Sequence, residues 1–235
     1  MTALKFQLPD LLEWIETNTK LTRAVKHMET LREGLGPDID FAVDFHARPS
    51  PSVAAILLRE IEPFHLFFAE EVCPPENIRA MQRAAKRSTT PLATGERLIA
   101  AYGCTELIDL GIVDVLQPDI AHVGGVTALW KVAAAAEAAG IRMAPHACEG
   151  PIGGIASLQV DAAIPNFLIQ EMVHGNPDRA SLVTEPIERV VEGYVELTKK
   201  PGLGVELNDE VVQRLGYKHS GFPEVYRKDG SVGEN

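Results

Sequence analysis

Three stretches decide how this 235-residue chain folds: Phe41-Ala42-Val43-Asp44-Phe45-His46, Leu66-Phe67-Phe68-Ala69-Glu70 and Pro91-Leu92-Ala93-Thr94-Gly95-Glu96. Each is a short β-branched or aromatic run that ends in polar residues, the mark of a buried strand whose last side chains emerge at one end of a sheet. Working outward, similar runs at Ala3 to Gln7, Val113 to Asp119, Ile141 to His146 and Phe167 to Glu171 predict seven strands in all. Apolar residues at helical spacing predict helices between them, over Ser52 to Ile61, Asn77 to Arg87, Leu98 to Leu110 and Thr127 to Ala139, with Gly140 stopping the last. From Asp44 onward the polar residue that closes each strand recurs after 26, 26, 23, 27 and 25 residues, at Glu70, Glu96, Asp119, His146 and Glu171. The repeated units share little sequence, so the period belongs to a βα architecture and not to copied modules. An open doubly wound sheet gathers its ligand contacts at one switch point, whereas six successive strands contribute here. The expected fold class is therefore α/β, a TIM-type (β/α) barrel.

Composition narrows the function. The chain is 46% hydrophobic and 23% charged, enough to build a core and too apolar for a disordered chain. Its longest apolar stretch, Val132 to Ile141, is broken by Glu137 and falls far short of the roughly 20 residues that span a bilayer. The first five residues lack the basic and apolar regions of a secretory signal, so the expected setting is the cytoplasm, without a membrane partner. A formal charge of -11 argues against a nucleic-acid partner. Cys73, Cys104 and Cys148 form no C-x-x-C pair and suggest neither a disulfide framework nor a zinc cluster; plain buried or surface thiols are expected. Gly124-Gly125 sits in no phosphate-binding fingerprint and reads as a tight turn before the next helix.

The chemistry lies in the strand-closing residues. Any one of Asp44, Glu70 and Glu96 alone would read as a solvated strand-end acid or a helix N-cap. Three in register on neighbouring strands would repel one another without a cation, and carboxylate oxygens favour Mg²⁺ over zinc. Glu71 and Glu149 lack that register and read as surface or supporting groups. Strand alternation would place His46 on the same face as Asp44, pointing beside the metal. Asp119 and His146 close the next two strands, where a carboxylate-imidazole bond would orient the ring and raise its basicity. His122, just after Asp119, reads as loop packing. Four strand steps separate His46 from His146, half a turn of an eight-stranded barrel, so the two imidazoles should face each other across the pocket. A carboxylate substrate held between them can lose its α-proton to one histidine while a β-hydroxyl leaves with a proton from the other.

These segments, together with Gly95-Glu96-Arg97-Leu98, Gln117-Pro118-Asp119, His122-Val123-Gly124-Gly125, Ala144-Pro145-His146 and Ile169-Gln170-Glu171, resemble the enolase superfamily in its mandelate racemase-like group. The likeness is greatest to that group's sugar-acid dehydratases, with galactonate or a similar aldonate as the implied substrate. The resemblance implies that Asp44, Glu70 and Glu96 bind Mg²⁺, that His146 assisted by Asp119 is the base, and that His46 is the acid. It further implies that Glu171 bonds the substrate carboxylate, and that the protein forms a homo-oligomer. Two departures stand out. Val72 and Cys73 separate Glu70-Glu71 from Pro74, where relatives read Glu-Glu-Pro. Lys5-Phe6-Gln7 keeps only the first lysine of the K-x-K pair of racemases, which favours dehydration over racemisation.

The barrel is expected over residues 1–206, followed by a C-terminal helix and tail over 207–235. After Glu171 a helical stretch is expected around Ile187 to Leu197, a turn at Lys200 to Gly204, a short helix near Asp209 to Leu215 and a loosely ordered end from Gly221. By resemblance, Ala3 to Gln7 corresponds to the second barrel strand, so the first strand and an N-terminal capping domain are expected to be missing. An epimerase or other lyase of the same superfamily, or a barrel fragment that does not turn over, are the competing readings.

Overall fold

The computed structural model describes residues 2–8, 12–148, 150–173, 180–185, 190–217 and 229–230. By internal contact the chain divides into two compact units. The first holds residues up to Gly95 together with Thr105–Leu116.

Five parallel strands build the first unit: β1 (Ala3–Gln7), β2 (Asp40–Asp44), β3 (Ala69–Glu70), β4 (Leu92–Thr94) and β5 (Val115–Leu116), paired in sequence order. Parallel strands covered by helices are hidden on both faces, and Phe41–Asp44 and Leu92–Thr94 are buried throughout. The register sets Gln7 beside Asp44, Asp44 beside Glu70, and Glu70 beside Ala93. Strand β1 has the predicted bounds; β2, β4 and β5 leave the ladder before the final polar residues of the expected runs, His46, Glu96 and Asp119, whereas β3 keeps Glu70 and begins three residues late.

Helices α1 (Asn18–Leu35), α2 (Pro51–Ile61), α3 (Ile78–Ala85) and α4 (Thr105–Leu110) accompany them. Each of the first three starts on a side-chain cap: Thr17, Ser50 and Asn77 accept the amides of Lys20, Val53 and Ala80. Proline at the first turn of α2 costs nothing there, and Val53, Ala54, Leu57, Leu58 and Ile61 form its buried face. They join Met28, Phe41, Phe45, Met81 and Leu92 in one core. Arg32 of α1 ties this core's edge together. Its guanidinium donates to the carbonyls of Phe64, Gly36, Ile39 and His65 and lies 4.5 Å from the centroid of the Phe41 ring.

The second unit contains α5 (Ile120–Val123), α6 (Val126–Ala138), β6 (Arg142–Met143), α7 (Pro151–Asp161), β7 (Val190–Val191), β8 (Tyr194–Val195) and α8 (Asp209–Leu215). Gly124 and Gly125 have φ of 110° and 95°, which only glycine adopts readily, and turn the chain from α5 into α6 as expected. Gly140, at φ 76°, ends α6, where the amides of Gly140 and Ile141 close on the carbonyls of Glu137 and Ala136. Buried Asn166 donates to the carbonyls of Ala133 and Ile141, fastening the chain before Phe167 to the helix and the strand behind it. Phe167 to Glu171 is not a strand; it makes a single parallel bridge from Phe167 to Met143.

Two further expectations change. Leu98 to Leu110 is no single helix but a 3₁₀ turn at Ala101–Cys104 followed by α4. The helix expected around Ile187 to Leu197 is an antiparallel hairpin, β7 with β8, turned by Glu192 and Gly193 at φ 52° and 87°. Val-Val-Glu-Gly-Tyr-Val is a hairpin signal whose apolar residues also fit a helical period, and the positive-φ turn decides between the two. Residues 186–189, most of the tail beyond 217 and Glu149 lie outside the described residues. Helices α1, α5 and α7 are additional to those expected. The expected helix over Asp209 to Leu215 is present, capped by Asn208.

Candidate active site

The second unit assembles most of the chemistry. Asp119 is the N-cap of α5: its Oδ1 accepts the amides of Ala121 at 2.7 Å and His122 at 3.3 Å. Its Oδ2 accepts Nδ1–H of His146 at 2.9 Å. One carboxylate oxygen thus caps the helix and the other holds the imidazole. Burial works to raise the Asp119 carboxyl, but the bonds from His146, Ala121 and His122 outweigh it and hold the group below the ordinary carboxylate range.

With Nδ1 committed, His146 turns Nε2 toward two acids, Glu96 Oε1 at 3.7 Å and Glu171 Oε2 at 3.9 Å. Burial disfavours the charged ring, yet the hydrogen bonds to Asp119 and Cys148 and the charges of Glu96 and Glu171 push it up to about 11. Glu171 Oε2 also accepts the Ala147 amide at 3.2 Å, and Gln170 donates to the Pro145 carbonyl, so the strand-closing segments around His146 and Glu171 are laced together. His122 belongs to this group more closely than loop packing implies. It lies on α5, donates Nδ1–H to the Glu96 carbonyl at 2.7 Å, and stacks on His146 with centroids 6.5 Å apart and planes 18° from parallel. Cys148, expected to be a plain thiol, is exposed and lies within reach of both His146 and Glu171. The spacing His146-x-Cys148 is the signal that a search for C-x-x-C passes over.

The first unit holds Asp44 and Glu70 side by side in register, 8% and 1% exposed. Lys5 Nζ donates to Glu70 Oε2 at 2.7 Å, so the lone lysine of the K-x-K position serves as a counter-charge for an acid. Two buried neighbouring carboxylates with hard oxygen donors suit Mg²⁺, and this pair fits the implied metal. His46 does not lie on a strand: β2 ends at Asp44, and His46 and Ala47 take the left-handed region at φ 51° and 57°. Alternation therefore cannot orient it. Its amide instead donates to Asp44 Oδ1 at 2.6 Å, which fixes the acid's rotamer. Glu71 is fully buried, which removes the surface reading.

This arrangement can be set beside known proteins. Residues 1–211 match the family model described as Enolase C-terminal domain-like. The chain belongs to that family. Its fold is accordingly the β/α barrel domain that the strand-end spacing predicts. The chain is 35% identical over 241 residues to a D-galactonate dehydratase of Xanthomonas euvesicatoria pv. vesicatoria (strain 85-10), covering 99% of this chain and 63% of the relative. It is 36% identical over 228 residues to a D-galactonate dehydratase of Cronobacter sakazakii (strain ATCC BAA-894), covering 94% and 60%. Among solved structures, a mandelate racemase/muconate lactonizing enzyme from Jannaschia sp. CCS1 superposes with a TM-score of 0.87 at 29% identity, over 94% of this chain and 57% of that one. The chain thus spans about three fifths of the length of the curated relatives it matches. Among the described residues no helix is long and apolar enough to cross a membrane.

Proposed function

We propose that this enolase-family chain carries the catalytic residues for dehydrating a sugar acid, galactonate or a close aldonate, to a 2-keto-3-deoxy acid in the cytoplasm, as a homo-oligomer. The observation that carries the reading is the Asp119–His146 dyad, with Nε2 aimed at Glu96 and Glu171. The naming of relatives as D-galactonate dehydratases supports the substrate class.

Asp44, Glu70 and Glu96 would hold Mg²⁺, which when bound offsets the negative charge that builds on the substrate carboxylate as the α-proton leaves. With the Glu96 charge that helps keep the His146 ring protonated offset by that cation, Nε2 is free to take that proton, while Asp119 stabilises the ring's positive charge through Nδ1. Glu171 hydrogen-bonds the substrate carboxylate, taking up a proton as the substrate binds. His46 donates a proton to the β-hydroxyl, which departs as water with the C–O electrons; the enol that remains tautomerises to the 2-keto acid. His122, stacked on His146, positions the base. The racemase alternative needs a second base, and with Gln7 in the second K-x-K position and Lys5 paired to Glu70 the strand offers none of ordinary type.

The test is incubation of the chain with Mg²⁺ and a panel of aldonic and aldaric acids, trapping 2-keto products. Product from one or a few aldonates is expected, and no product from any acid would overturn the reading. Deuterium entering Cα without loss of water would point to the epimerase instead. Light scattering at working concentration checks the oligomer.

A further inference from the structure

Beside the hard carboxylates lies a donor set of different character. One ligand atom each from His146, Cys148 and Glu171 lies within 4.8 Å of the other two. Asp119 holds His146 by Nδ1, the arrangement in which a supporting carboxylate fixes a metal-binding imidazole through its other nitrogen. Nε2 stands 3.9 Å from Glu171 Oε2 and 3.7 Å from Glu96 Oε1. A tetrahedral Zn²⁺ with bonds of about 2 Å keeps nitrogen and oxygen donors about 3.4 Å apart, so closure by about half an ångström would satisfy the imidazole and the carboxylate. Cys148 is exposed, which gives an ion a path from solvent, whereas Cys73 and Cys104 are buried. Magnesium prefers oxygen and does not seek sulfur, while an imidazole, a thiolate and a carboxylate together are zinc's ordinary ligands.

We infer that His146, Cys148 and Glu171 form a second cation site, distinct in ligand chemistry from the carboxylate set, that takes Zn²⁺ or another thiophilic divalent ion, with water as the fourth ligand. Binding displaces the protons of Cys148 Sγ and His146 Nε2 to solvent, so no oxidant or co-reactant is required. An occupied site has no lone pair on Nε2 with which to receive a substrate proton. This switching-off rests on the dehydratase reading; the binding does not.

Titration of the full chain with Cd²⁺, read by the ultraviolet cadmium–thiolate charge-transfer band, tests the site. One equivalent should develop the band, Zn²⁺ should displace it, and Mg²⁺ in large excess should not. Cys148→Ala should abolish the band and weaken Zn²⁺ at least about 100-fold, and Asp119→Asn should weaken it about tenfold. No band in the wild type, a band retained in Cys148→Ala, or displacement by Mg²⁺ would overturn the site. In the activity arm, one equivalent of Zn²⁺ should stop sugar-acid dehydration; an unchanged rate with the metal bound refutes the switching. A chain that shows the band yet turns over no acid counts against the dehydratase reading alone, because the cadmium titration has already decided the site.

Discussion

Asp161, the last residue of α7, is 6% exposed, and neither of its carboxylate oxygens has a hydrogen-bond partner among the described residues. Burial pushes its carboxyl up to about 8, and the negative end of the helix macrodipole acts in the same direction. The sign follows from proton linkage. Between about pH 4 and pH 8 the unfolded chain has released this proton and the folded chain retains it, so folding stability falls as pH rises. Each unit of difference is worth about 1.4 kcal/mol, and about four units amount to roughly 5 kcal/mol, a large share of an ordinary domain's stability. Asp161→Asn keeps the shape and removes the titration. Urea unfolding of both proteins at intervals from about pH 4 to pH 9 should give curves that nearly coincide at the acid end. They should diverge steadily until the variant leads by several kcal/mol at about pH 8, and run parallel above it. Parallel curves across the whole range would show that Asp161 ionises normally in the folded protein and would refute the reasoning.

Asp119→Asn removes the charge that holds His146 protonated. In the cation-free wild type the His146 ring signal in NMR should not titrate between about pH 6 and 9, and in the variant its midpoint should move down toward the ordinary histidine range. A wild-type midpoint near 6.5 contradicts this. Arg32→Ala strips four carbonyls of a charged donor and uncovers Phe41, an expected loss of about 2–4 kcal/mol measured by urea unfolding. Lysine at the same position should recover little, because it lacks the fork that reaches several carbonyls at once. Lys5→Met takes the counter-charge from Glu70, which should lower Tm, and Mg²⁺ should raise the variant's Tm more than the wild type's; equal shifts would mean that the cation does not bind near Glu70.

Much of the fold and of the candidate site was legible in the chain. Asp44, Glu70, Glu96, Asp119, His146 and Glu171 recur at βα spacing because a strand, a helix and two turns consume a nearly constant number of residues. The helix caps and the Gly124-Gly125 turn follow from local chemistry alone. His46 escaped the same logic: strand alternation holds only while the ladder continues, and β2 ends two residues before it. His122 and Cys148 escaped because their roles depend on neighbours 24 and 23 residues away in sequence, His146 for the one and Glu171 for the other.

By itself, then, the sequence determined the β/α order, the place of the polar residues at strand ends, and the family to which the chain belongs. These depend on period, turn residues and short motifs, which are local. Tertiary structure alone decided which oxygen of Asp119 caps α5 and which holds His146, that Lys5 answers Glu70, and that the thiol of Cys148 comes to stand beside an imidazole and a carboxylate. Such pairings are fixed by packing between segments far apart in the chain, and a one-dimensional pattern carries the residue types but not the distances.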